Sequence, residues 1–88
     1  MIELTEVEEK DLEYVYDVVK SQIDEEITKN NGKFPKEEVV RVELELPKNE
    51  SQFSPMFWKH LLQFEYNSCM LEPCLSEKNV VFIRKHIG

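Results

Sequence analysis

Apolar side chains in the first third of the chain recur at intervals of three and four. Leu12, Val15, Tyr16, Val19, Ile23 and Ile27 fall on one stripe of a helix with 3.6 residues per turn. The spacing predicts a long helix from about Thr5 to Asn30. Thr5 with Glu8 forms a capping box, which satisfies two of the orphan N–H groups at a helix start. Asn30-Asn31-Gly32 supplies a left-handed stop. From Val39 to Leu46 the period changes to two. Val40, Val42, Leu44 and Leu46 fall on one face and Arg41, Glu43 and Glu45 on the other, the pattern of a half-buried strand. Pro35 followed by acids suggests a single helical turn ahead of it.

A loop over 47–51 separates this strand from a second helix. Ser54 is its N-cap, Pro55 its first residue, and its end is expected near Tyr66. Phe57, Trp58, Leu61, Leu62 and Phe64 give that helix a broad apolar face. The tail reads as a hairpin: Cys69 to Leu75, a turn over Ser76-Glu77-Lys78-Asn79, then Val80 to Ile87. Pro73 cannot donate to a ladder, so the first arm belongs at an edge. The unbroken run Val80–Ile83 predicts a strand covered on both faces. The order is α-β-α-β-β and the fold class α+β: a small three-stranded, mostly antiparallel sheet packed by two helices.

Composition narrows the setting. The 88 residues are 41% hydrophobic and 33% charged, with 18 acids against 11 bases, a globular composition that predicts a single small acidic domain over 1–88. No apolar run approaches the roughly 18 residues of a membrane span, and MIELTEVEEKDLE lacks the basic start and apolar middle of a secretory signal. The expected setting is therefore cytoplasmic and reducing, with no membrane. Cys69 and Cys74 are five positions apart, about 16 Å on an extended strand and too far for a bridge, so both are expected as free thiols. With Gly32 and Gly88 as its two glycines, the chain has no phosphate-cradling loop.

Charge is the strongest candidate chemistry. Residues 1–28 hold ten acids against Lys10 and Lys20, whereas the rest holds eight acids and nine bases. Acids in a first turn complement the helix dipole, but Asp24, Glu25 and Glu26 sit near the other end. Glu9/Glu13 and Glu13/Asp17 are like charges at i,i+4, each costing about 0.2–0.5 kcal/mol. A solvated, solubilising face explains most charge runs; repulsion retained along one side also suits docking on a basic partner. That side carries Glu9, Glu13, Asp17 and Asp24, interrupted by Lys20. Five aromatics cluster between Phe53 and Tyr66 and read mainly as core, with Phe53 and Trp58 at the helix entry as candidate anchors for a partner.

Other chemistries have weaker footing. His60, Cys69, Cys74 and His86 match no standard zinc spacing. Nothing near either cysteine predicts an activated thiol, so no catalytic residue, metal or cofactor is assigned. The reading is therefore a small intracellular protein–protein interaction module, a regulator or inhibitor, rather than an enzyme. Its partner is another protein with a basic surface; a second copy of the chain is also open to it. The alternative rests on Lys78, Arg84 and Lys85, a small basic patch on the hairpin. A helix followed by a C-terminal two-stranded hairpin is similar to a winged-helix domain, with one helix fewer, and implies nucleic-acid binding through that hairpin. The acidic first helix opposes it.

Overall fold

The computed structural model describes residues 4–45, 55–77 and 79–86. Five elements follow one another: α1 (Glu6–Lys29), β1 (Val39–Glu43), α2 (Pro55–Leu62), β2 (Cys69–Pro73) and β3 (Val80–Lys85). The fold is α+β, with two helices and an antiparallel sheet in the order β1-β3-β2. Leu46, Phe53, the Ser54 cap, Lys78 and Ile87 lie outside the described residues.

α1 begins where its sequence asks it to. Thr5 is extended, its hydroxyl accepts the Glu8 N–H at 3.1 Å, and the Glu8 carboxylate accepts the Thr5 N–H at 3.2 Å. This reciprocal pair lets Glu8 sit buried while hydrogen-bonded. The helix ends in a Schellman-type closure. Asn31 takes the left-handed conformation at φ 57°, and the Gly32 N–H donates to the Ile27 carbonyl at 2.9 Å. Leu12, Val15, Val19 and Ile23 are buried, with Tyr16 and Ile27 half-buried beside them.

β3 is the central strand, and its sequence reflects that. Val81 and Ile83 turn toward the core, Val80 is buried on the opposite face, and Phe82 is half-buried there. β1 pairs with it through Val42↔Val81 and Val40↔Ile83, β2 through Leu71↔Ile83 and Pro73↔Val81. Proline thus falls at the end of an edge strand, where a missing donor costs little. One cluster gathers the α1 stripe with Phe34, Val42, Leu44, Phe57, Leu61, Phe64, Cys69, Leu71, Val81 and Ile83.

Four boundaries differ from the sequence pattern, the simplest being β3, which ends at Lys85 short of the expected Ile87. β1 ends at Glu43, although buried Leu44 still donates its N–H to the Asn79 carbonyl at 2.7 Å. The first hairpin arm stops at Pro73, leaving Leu75 98% exposed. α2 stops at Leu62 instead of near Tyr66. Its last turn tightens through Gln63 N–H to His60 O and Phe64 N–H to Leu61 O, at 3.2 and 3.1 Å. The chain then reverses between Tyr66 and Cys69, which exchange both backbone hydrogen bonds, with Asn67 at φ 50° and Ser68 at φ 62°. Two positive φ values make this a type I′ turn, whose twist matches the strand it feeds. Leu62, read as part of the apolar face, is consequently 51% exposed.

Phe57 is the largest side chain in the core with no exposed surface. Its replacement by alanine should cost about 3–5 kcal/mol, a large share of the stability of a domain this small. Urea titration followed by circular dichroism should show the midpoint of F57A collapse toward zero denaturant.

Candidate functional site

α1 serves two environments at once. Its buried stripe is held by tyrosines that leave the helix in different directions. The Tyr16 hydroxyl donates to the His60 carbonyl at 3.2 Å, and its ring stacks on Phe64 with centroids 5.2 Å apart. The Tyr14 hydroxyl accepts the Glu45 N–H at 3.2 Å. These contacts fix the rotation of α1 and so fix which side faces outward.

That outer side carries Glu9, Glu13 and Asp17, all exposed. Successive carboxylates are four residues apart, about 6 Å along the axis, so the row spans about 12 Å. Among the described residues none of the three makes an ion pair. Some acids elsewhere are matched: Lys29 lies 3.1 Å from Glu25, Arg41 2.6 Å from Glu77, and Arg84 3.1 Å from Glu72, whereas Glu6, Glu37, Glu38, Glu45 and Glu65 are exposed without an ion pair among the described residues.

The structure separates Asp24 from this row. The Tyr66 hydroxyl donates to its carboxylate, with oxygens at 2.9 and 3.2 Å; that bond, followed by partial burial, raises the hydroxyl above the usual tyrosine range. Lys20, the cation that interrupts the acids, lies with its ammonium 5.8 Å from the centre of the same ring, within cation–π range. The sequence offers no sign of this: Tyr66 was expected at a helix end, and 42 residues separate it from Asp24. The signal that could have found it is Asn67-Ser68 as a two-residue turn, since asparagine tolerates positive φ.

The remaining candidates scatter. Trp58 is half-buried against the core, so part of its ring serves the fold. Arg84 and Lys85 are neighbours on β3, and successive strand residues point to opposite faces; Arg84 is engaged by Glu72. The basic residues of the hairpin therefore do not form one patch among the described residues. No three His, Cys, Asp or Glu side chains gather there as a metal site. A groove lined by Leu62, Gln63, Phe64, Glu65, Met70 and His86 holds about 110 Å³, below the roughly 300–1,000 Å³ of small-molecule pockets. No helix among the described residues is long and apolar enough to cross a membrane.

No protein-family model matches the chain, and no curated protein and no solved structure matches it. What the chain does must be read from its own side chains.

The two cysteines, both free, have opposite environments. Burial pushes the Cys69 thiol up. Cys74 is pulled down, chiefly by the Ser76 hydroxyl 3.4 Å from its sulfur and then by the Ser76 backbone N–H. Thiolate is the reactive form. Alkylation of the native protein at mildly alkaline pH should therefore modify Cys74 first, with Cys69 protected until denaturant is added. Peptide mapping reads the order, and equal labelling of both would contradict it.

Proposed function

We propose that this chain is a small intracellular protein-binding module that docks on a basic partner surface through the exposed side of α1, acting as a regulator or inhibitor of that partner. The observation that carries this reading is the row Glu9, Glu13 and Asp17, aligned, exposed and without an ion pair among the described residues. Like charges at i,i+4 cost helix stability, and a basic surface placed over them would relieve that cost. Such complementarity acts mostly on the association rate and on partner choice. Asp24 contributes to the local field but is held by Tyr66, which supports a docking surface centred on the first half of the helix. Trp58, half-exposed on α2, is a second candidate contact.

The triple reversal E9K/E13K/D17K tests the reading. These positions lie outside the buried stripe, so the melting temperature should barely move. Native and reversed proteins are immobilised side by side and challenged with the same cell extract. The native bait should retain a protein with a basic surface and release it between about 0.1 and 1 M salt, where the screening length falls from about 10 to 3 Å. The reversed bait should retain none of it. Identical captures by both baits, with identical salt release, would leave the row as a solubilising surface only.

A further inference from the structure

We infer that Tyr66 is a positioning residue for the acidic row: its ring holds Lys20 aside, so that the helix does not neutralise its own carboxylates. The inference rests on the docking role of that row. Lys20 sits on the same side of α1 as the acids and follows Asp17 by three residues, a spacing at which an acid and a base pair readily. Asp24, four residues on, is within the same reach. Yet among the described residues Lys20 makes no ion pair with either. Its ammonium lies over the Tyr66 ring at 5.8 Å, and the hydroxyl of that ring occupies Asp24.

One side chain from a distant hairpin thus takes hold of Lys20 and the last acid of the side, leaving Glu9, Glu13 and Asp17 without an ion pair among the described residues. Tyr66 is itself fixed, because it opens the type I′ turn and exchanges two backbone hydrogen bonds with Cys69. The turn that ends α2 early is what brings the ring to α1. Without the ring, Lys20 is released to pair with Asp17 as well as with the freed Asp24, and the share that pairs with Asp17 lowers the charge of the row.

Two measurements test this, and the first needs no partner. Lys20 side-chain protons lying over an aromatic face are shifted upfield by its ring current. Nuclear magnetic resonance should show that shift in the native protein and in Tyr66→Phe, and its loss in Tyr66→Leu. Unshifted Lys20 protons in the native protein would overturn the inference. The second measurement uses a fluorescent nona-arginine peptide as a basic probe, with affinity read by anisotropy at low salt. Tyr66→Leu should weaken binding about twofold, the worth of one i,i+3 ion pair. In a Lys20→Gln background the same substitution should not weaken binding, because the Asp24 carboxylate it frees adds to the acidic side. Equal weakening in both backgrounds would assign Tyr66 a structural role alone and overturn the inference. If no form binds the peptide while the native upfield shift is present, the docking reading fails, and the placement of Lys20 by Tyr66 stands on the resonance data.

Discussion

Everything in this fold depends on burying one stripe of a 24-residue helix over a sheet of three short strands. Leu12, Val15, Val19 and Ile23 share one core with Val81 and Ile83 of the central strand, and each such side chain contributes about 1.5–3 kcal/mol when fully buried. A two-stranded hairpin alone is marginal in water, and an isolated helix draws most of its stability from packing an amphipathic face. Neither layer has reason to form without the other. Phe57, Leu61 and Phe64 close the end of the same cluster, so α2 fills a space that α1 and the sheet leave between them.

That constraint also decides the location of charge. With its inner stripe committed, and with Tyr14 and Tyr16 fixing its rotation, α1 has one outward side for its polar residues. The carboxylate of Glu8 is buried within the cap, and Asp11 beside it is pushed above the usual carboxylate range by burial and then by the Glu8 charge. Glu9, Glu13 and Asp17 remain in water. The acids of α1 thus divide into those that serve the fold, those matched locally, and exposed ones without an ion pair among the described residues, Glu6 and the row Glu9, Glu13 and Asp17 among them.

Much of the fold was legible because it rests on local signals. Thr5 and Glu8 announce the start of α1, Asn31 and Gly32 its stop, and the alternation of Val40 and Val42 the inner face of β1. The run Val80–Ile83 and the position of Pro73 give the central strand and an edge strand. The end of α2 was not legible, because Gln63-Phe64-Glu65-Tyr66 suits a helix by composition and the turn at Asn67-Ser68 lacks glycine. The candidate site divides in the same way. The row Glu9, Glu13 and Asp17 follows from helical spacing, whereas the grip of Tyr66 on Asp24 and Lys20 joins segments that only the folded chain brings together. The pairing of Arg84 with Glu72 is likewise a cross-strand effect, and it removes a residue that sequence alone offers to a basic patch.

Native-state amide hydrogen exchange tests most directly the claim that helix and sheet share one indivisible core. Amides of Val15 and Val19 in α1 and of Val81 and Ile83 in β3 should exchange only through global unfolding, with one common free energy and one common dependence on denaturant. Amides in the interior of α1 that open at a free energy well below those of β3 would contradict it, showing a helix that detaches while the sheet persists.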